Sequence, residues 1–394
     1  MSQSPHVADA LKGFGTTIFS EMSALAASTG AINLGQGFPN YDGPTEVLER
    51  AVAEINSGNN QYSPGLGMAV LREAIARHQR RFWNLAYDAD TEILITAGAT
   101  EALAGALLGL LNDGDEVVMF EPMYDSYMAC VAMARGRAVP VLLRPQADGR
   151  YVFDEAELRE AISPRTRAIL LNTPHNPTGT VFTGKEIECV ASLAKEHDLI
   201  VISDEVYEHL VFDSARHIPI ATLEGMKDRT VTISSGGKTF NTTGWKIGWA
   251  CAPAPLLDAV RTAKQFLTYV NGAPFQPAIA LGLDLPDAYF DKIADDLRRK
   301  RDILLAGLQQ ADLITFKPEG TYFITTDIRP REPDGNGVEF CRRLPHSHGV
   351  VAIPNAVFYS PEHADAGRHL VRFAFCKTTE LLESAVERLC ASVR

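Results

Sequence analysis

Two lysines set among small residues pose the first chemical question of this chain. Residues 232–249 read TISSGGKTFNTTGWKIGW and carry Lys238 and Lys246. A lysine serves as a point charge for an anion or, when neutral, as a nucleophile. The tetrad GGKT matches the end of a phosphate-cradling loop of the form G-x-x-x-x-G-K-[ST]. The first glycine of that form would fall at Thr232, inside an apolar strand-like run. The residue that must turn the chain is missing, so a nucleotide-hydrolysing P-loop is set aside.

Amine chemistry fits the surroundings better. A lysine that bonds pyridoxal phosphate needs a carboxylate for the pyridine nitrogen and a phosphate site of modest charge. Lys238 supplies the amine. Lys246 supplies a cation that favours neutral Lys238 by repulsion and can also hold a phosphate. The apolar flanks in WKIGW speak against a solvated surface lysine at 246. Asp204 directly follows LIVIS, where a carboxylate is costly to bury unless paired; the competing role is a helix N-cap. Tyr207, three residues on, is either a ligand to a ring oxygen or a packed tyrosine. AGAT, residues 97–100, precedes a helical pattern and offers free backbone N–H groups to a phosphate. NTPHNPTG, residues 172–179, forms an irregular turn from which Asn172 and Asn176 project. His175 within it is read as structural. Tyr124 follows Pro122 and can stack on a ring. Arg372 lies in the strand-like HLVRFAF, where a planar guanidinium suits bidentate carboxylate recognition; a surface ion pair is the alternative.

These groups come from distant parts of the chain, and a recurring unit must position them. EILIT (92–96), DEVVMF (115–120), RAILL (167–171), LIVIS (199–203) and TVTIS (230–234) are short apolar runs, each followed by a polar turn. Such runs suit strands buried on both faces. With helices between them they predict an α/β fold with a mainly parallel sheet. Ligands then bind outside the carboxyl ends of the strands, where Thr100, Tyr124, Asn176, Asp204 and Lys238 fall. A long helical pattern begins near residue 285, followed by strand-like GTYFITTDI and HLVRFAFC. The expected division is a large α/β domain over 45–284, a small α+β domain over 285–394, and a segment 1–44 packing beside the small domain.

Composition narrows the classes. At 394 residues the chain can bury a sizeable core and an enclosed site. A net charge of −12 argues against nucleic acid or an anionic membrane as main partner. The six cysteines form no CxxC pair, so neither a disulfide framework nor a zinc or other metal site is expected. The start MSQSPHVADALKGFG lacks a basic region followed by an apolar run. EALAGALLGLL is far shorter than the ~20 residues of a membrane span. A cytoplasmic protein is expected.

Taken together, NLGQGFP (33–39), NQYSPGLG (60–67), AGATEAL, EPMYDSY, NTPHNPTG, SDEVYEHL, SSGGKTFNTTGWKIGW and VRFAFCK resemble the class I/II aminotransferases of the fold-type-I pyridoxal phosphate enzymes. The resemblance runs from residue 33 to residue 377. It implies exchange of an amino group between an L-amino acid and a 2-oxo acid by a ping-pong cycle. It implies that Lys238 bonds the cofactor and then carries the proton, and that Asp204 pairs with the pyridine nitrogen. Asn176 and Tyr207 would bond the ring oxygen, and Tyr124 would stack on the ring. Ala99, Thr100, Ser235 and Lys246 would hold the phosphate; many relatives have arginine at the position of Lys246. Arg372 would bind the substrate α-carboxylate, with Asn176 and Gly37 close by. Tyr62 would reach the phosphate of a neighbouring subunit, which implies a homodimer.

LGQGFP with GKTFNTTGWKIGW is similar to the glutamine transaminase K, kynurenine and methionine aminotransferase branch. Proteins assigned as N-succinyl-LL-diaminopimelate aminotransferases share the same motifs. Phe19 falls where kynurenine aminotransferases carry a tryptophan, which speaks against kynurenine and leaves an aromatic wall. The alternative activity is β-elimination from cysteine S-conjugates, which starts from the same proton abstraction. A cofactor-binding transcription regulator would need a DNA-binding domain before INLGQGFP, where about thirty residues stand.

Overall fold

The computed structural model describes residues 6–15 and 18–391. Residues 1–5 and 16–17 of the expected N-terminal segment, and 392–394 of the expected small domain, lie outside the described residues.

Helix α1 (Ile18–Thr29) leads to an extended pair, Ile32–Asn33, that runs parallel to Val350–Val351. Met22 and Ala26 of α1 share a core with Leu304, Phe340 and Leu382. The beginning of the chain is thereby tied to its C-terminal part.

A seven-stranded sheet forms the larger body. Its strands are β1 (Ile93–Ala97), β2 (Glu116–Glu121), β3 (Arg137–Leu142), β4 (Thr166–Asn172), β5 (Ile200–Asp204), β6 (Thr230–Ser235) and β7 (Ile247–Cys251). Their spatial order is β1-β7-β6-β5-β4-β2-β3. Neighbours from β6 to β3 run parallel, and β7 is antiparallel to both β1 and β6. The five apolar runs of the sequence are β1, β2, β4, β5 and β6. Two strands were not anticipated there: the edge strand β3, and β7, whose IGWAC lacks a Val/Ile/Leu run.

Along β2 the side chains alternate faces, as pleating requires. Val117 and Met119 meet Leu103 and Leu107 of α2 (Gly98–Leu110) and Val260 of α5 (Ala254–Lys264). Val118 and Phe120 meet Ile187 and Val190 of α4 (Gly184–Glu196). Both faces are covered, which is why polar alternation is absent from these strands. Helix α3 (Ser126–Met133), which follows β2, packs on the α2 face through Tyr127, Cys130 and Val131. At the start of α4, Thr183 and Glu186 form a reciprocal capping box that satisfies free N–H groups.

The smaller sheet is antiparallel, in the order β8 (Ile314–Phe316), β9 (Phe323–Asp327), β11 (Leu370–Ala374), β10 (Ile353–Pro354). Helices α6 (Asp287–Gln310) and α7 (Thr379–Cys390) contribute Leu304, Leu308, Leu382 and Ala385 to the core beneath it. No helix among the described residues is long and apolar enough to cross a membrane.

Candidate active site

The carboxyl ends of β2, β4, β5 and β6 open onto a cavity of about 440 Å³. Every sequence-predicted site residue except Tyr62 borders it: the ends of the strands contribute Tyr124, Asn176, Asp204, Tyr207, Ser235 and Lys238, α2 contributes Ala99 and Thr100, and Phe19, Gly37, Lys246 and Arg372 close the rest. Tyr62 stands outside, 84% exposed, with its ring edge-on to Tyr269 at 5.6 Å.

One end of the cavity gathers groups able to hold an anion. The first amides of α2, at Gly98, Ala99 and Thr100, have no intrahelical acceptor and carry the positive end of a 13-residue helix. Lys246 adopts a left-handed backbone, φ 55°, at the end of a 3₁₀ turn. Its Nζ lies 3.0 Å from where a Cβ on Gly98 would stand. A Cβ on Gly248 would come within 2.4 Å of the Gly98 carbonyl carbon. The two glycines thus let β7, with Lys246 just before it, press against the start of α2. Ser235, at the end of β6, faces the same space.

Lys238 sits in the short helix Gly236–Thr239 directly after β6. Its Nζ lies 5.8 Å from the centre of the Tyr207 ring and 5.7 Å from that of Tyr322. Burial pushes the amine down to about 8; Cys376 and Asp204 oppose this, and Lys246 adds to it. Desolvation therefore does more to favour the neutral amine than the neighbouring cation invoked from sequence.

Asp204 is buried at the end of β5. Tyr127 donates to its Oδ2 at 2.7 Å, and the Val206 N–H to its Oδ1 at 3.3 Å. Burial raises its carboxyl to about 6, against those two bonds and the charge of Lys238. Tyr124 borders the cavity above α3, and burial with the nearby Asp125 and Asp204 charges raises its phenol to about 12. Tyr207 is buried edge-on to Tyr322 at 5.3 Å, and burial raises its phenol as well.

The NTPHNPTG turn separates two amides by role. Asn172 is spent on backbone: its Nδ2 donates to the Asp204 carbonyl at 2.9 Å, and its Oδ1 accepts from the Asn176 N–H at 2.9 Å. Asn176 keeps its side chain for the cavity. His175 is structural, as expected: it is buried, shares a 2.8 Å hydrogen bond with Thr178, and burial lowers it to about 3.

Arg372, from β11, enters from the opposite wall. Nη1 donates to Asn176 Oδ1 at 2.8 Å and Nη2 to the Gly35 carbonyl at 3.1 Å. Phe323 lies 3.9 Å from the guanidinium carbon, Phe358 4.7 Å and Phe19 5.4 Å. Among the described residues, its Nε is buried without an acceptor and no carboxylate is hydrogen-bonded to the head. Burial lowers the group to about 10. Asp125 is the carboxylate that acts on it through space, without a hydrogen bond among the described residues, so the guanidinium fork stays available to an incoming carboxylate. Gly37 is pinned by a bond from Tyr322 Oη to its carbonyl at 2.5 Å, and a Cβ there would meet Phe323 at 2.6 Å.

This donor set fits pyridoxal phosphate. A cation and free helix amides stand at one end, an amine of lowered pKa in the middle, and a buried carboxylate beyond it. Sequence reasoning missed Tyr127, Asp125 and Phe323. Tyr127 follows Tyr124 by three residues in EPMYDSY, one helical turn, and that spacing was the available signal.

His78, Glu208 and His209 also cluster, with potential ligand atoms within 4.8 Å of one another. The two imidazole Nε2 atoms are 2.7 Å apart, a hydrogen bond. Two nitrogens on a tetrahedral zinc ion stand about 3.3 Å apart. Both Glu208 oxygens are taken, by Trp83 Nε1 and Ser234 Oγ, each at 2.7 Å. The cluster is a buried hydrogen-bond network.

A mainly parallel sheet carrying this constellation defines the enzyme class, and the chain belongs to the family of aminotransferases of class I and II, with the match spanning residues 29–389. It is a pyridoxal-phosphate-dependent aminotransferase. It is 51% identical to the probable N-succinyldiaminopimelate aminotransferase DapC of Mycobacterium tuberculosis, over 96% of each chain. It is 41% identical to the methionine aminotransferase of Escherichia coli, again over 96% of each. The solved structure of the Mycobacterium tuberculosis N-succinyldiaminopimelate aminotransferase superposes with a TM-score of 0.95, covering 98% of this chain and 99% of that one.

Proposed function

We propose that this aminotransferase takes N-succinyl-LL-diaminopimelate, with glutamate and 2-oxoglutarate as the exchanging pair, in a ping-pong cycle. The observation that carries the site reading is Arg372: a buried guanidinium with no hydrogen-bonded carboxylate among the described residues, bordering the same cavity as the Lys238 amine. An amino acid held by its α-carboxylate there has its α-carbon available to that amine. The choice of substrate rests on the 51% identity to DapC.

In this reading Lys246, Ser235 and the amides of Ala99 and Thr100 hold the cofactor's phosphate. Asp204 would pair with the pyridine nitrogen, Asn176 and Tyr207 would bond the ring oxygen, and Tyr124 would stack on the ring. When bound, pyridoxal phosphate supplies the electron sink that makes the substrate Cα–H acidic. Lys238 Nζ is the amine that would hold the cofactor and, as a free neutral amine, would take the proton from the substrate Cα as general base. Arg372 fixes the carboxylate so that this proton faces Lys238. Phe19, Phe323 and Tyr124 keep water from the reacting carbon.

The working form is a homodimer in which Tyr62 reaches the neighbouring subunit's phosphate site; its 84% exposure in the single chain supports this. The division into 1–44, 45–284 and 285–394 belongs to the same proposal, with the pairing of residues 32–33 to 350–351 in its favour. So does a cytoplasmic setting, which six unpaired cysteines support.

A second substrate reading is methionine, glutamine or an aromatic amino acid. The phenylalanines around Arg372 and the methionine aminotransferase relative favour it. Elimination from cysteine conjugates would need the same carbanion, but the relatives named above carry amine transfer.

A donor screen decides the substrate. With 2-oxoglutarate as acceptor, N-succinyl-LL-diaminopimelate should exceed methionine, glutamine, phenylalanine and kynurenine in kcat/KM by about tenfold or more, about 1.4 kcal/mol. A higher value for methionine would move the assignment to the second reading. Release of pyruvate and ammonia from a cysteine conjugate faster than amine transfer would favour elimination.

A further inference from the structure

Asp204 is held by a residue that none of the site roles above uses. Tyr127 lies in the first turn of α3, is buried, and borders the cavity beside Asp204. Its hydroxyl reaches Asp204 Oδ2 at 2.7 Å. Its ring is set edge-on to Tyr124, with centres 5.7 Å apart and planes at 85°. The Val206 N–H takes the other oxygen. Each oxygen of Asp204 thus has one fixed donor, and the carboxylate cannot rotate without breaking the shorter bond.

We propose that Tyr127 is a positioning residue for Asp204: its hydroxyl locks the carboxylate's rotation and favours its charged form, leaving defined lone pairs for the cofactor's pyridine nitrogen. The inference rests on the assignment of Asp204 to that nitrogen. Burial drives the Asp204 carboxyl toward neutrality, and a hydrogen bond to the charged form opposes this. The phenol is itself buried beside Asp204 and titrates well above its ordinary range, so it acts only as a neutral donor. The other groups acting on Asp204 are Lys238 after β6, which stabilises the anion, and Glu205 on its own chain, which repels it. Tyr124 and Tyr207 stay neutral near pH 7, since burial raises both phenols. Tyr127 is therefore the one side-chain hydrogen bond that Asp204 receives among the described residues.

The test is Tyr127→Phe, which keeps the ring and removes the donor. In cofactor-free protein, carbon-detected NMR of the Asp204 carboxyl should show its pKa rising by about one pH unit or more, as expected for loss of a bond to a charged acceptor. The dissociation constant for pyridoxal phosphate should then rise about tenfold between pH 8 and pH 6, where the parent protein varies less. A purely structural role would move melting temperature without this pH dependence. If both the carboxyl pKa and the pH dependence match the parent, the inference is overturned. Incorporating 3-fluorotyrosine at position 127 strengthens the donor and preserves the fold; it should lower the same pKa, and no movement would count equally against the inference. Asp204→Asn separates the two readings. If it leaves cofactor affinity unchanged, the assignment of Asp204 itself fails; if it weakens affinity while Tyr127→Phe does nothing, only the role of Tyr127 fails.

Discussion

Arg372 donates from Nη1 to Asn176 Oδ1 at 2.8 Å, and this bond joins the small sheet to the turn that follows β4. The residue proposed to grip the substrate is thus oriented by a residue proposed to touch the cofactor. Displacement of either is felt by the other, which couples substrate placement to the reacting centre.

The first prediction concerns this pair. Arg372→Ala should weaken amino-acid binding by about 2–5 kcal/mol, the range for losing one partner of a buried charged contact. The cofactor's dissociation constant should change less than about threefold. Substrate-binding titrations followed by cofactor absorbance measure both. Equal losses would remove the carboxylate role.

Lys238 carries the second. Borohydride reduction followed by peptide mapping should place the cofactor on Lys238, and Lys238→Met should take no label while losing about 10⁴-fold or more in turnover. A label on Lys246 would reassign the two lysines.

The same lysine makes a pH prediction for the cofactor-free protein. Its amine titrates near 8 when folded, below the unfolded value near 10.4. The native state therefore binds fewer protons between those values, and this group's contribution to stability rises with pH through that window. Below pH 8 the full penalty is present, at most about 3 kcal/mol, since the amine borders the cavity. Lys238→Met should then be more stable than the parent at pH 7, and the gap should shrink to under about 1 kcal/mol by pH 10. Denaturant midpoints at the two pH values report it. A constant gap would place the effect in packing.

Lys246 tests the anion end. Lys246→Ala should raise the dissociation constant for pyridoxal phosphate by about ten- to a hundredfold, matching a charge-assisted hydrogen bond. Binding of pyridoxal without its phosphate should be nearly unchanged. Lys246→Arg should restore most of the loss. A similar loss with both ligands would show that Lys246 shapes the site as a whole.

Tyr62 tests the assembly. Sedimentation should give twice the chain mass of 43.0 kDa. Tyr62→Phe should keep that mass and weaken cofactor binding several-fold. A monomer with full cofactor affinity would remove Tyr62 from the site.

Much of this protein was legible in its sequence, for identifiable reasons. Strands buried on both faces must be apolar throughout, so β1, β2, β4, β5 and β6 announced themselves as unbroken runs. A parallel sheet places its strand ends on one side, so Asp204, Ser235 and Lys238 could be assigned to one cavity before any coordinates. The groups proposed to hold the phosphate were legible too, since the start of a helix and a lysine amid apolar residues leave local marks. Strand β7 escaped because its glycine serves a close approach to Gly98, a contact 150 residues away in sequence that leaves no periodic trace. Tertiary structure alone decided the fate of the two turn amides, sending Asn172 to backbone and Asn176 to Arg372. It also put desolvation ahead of Lys246 in lowering the Lys238 amine, because burial is a property of everything packed around a group. The link from Tyr127 to Asp204 belongs here as well, since a hydrogen bond between a helix and a strand 77 positions apart depends on how the layers stack. Residue types and short spacings determined which chemistry was available; three-dimensional packing determined which groups were left free to perform it.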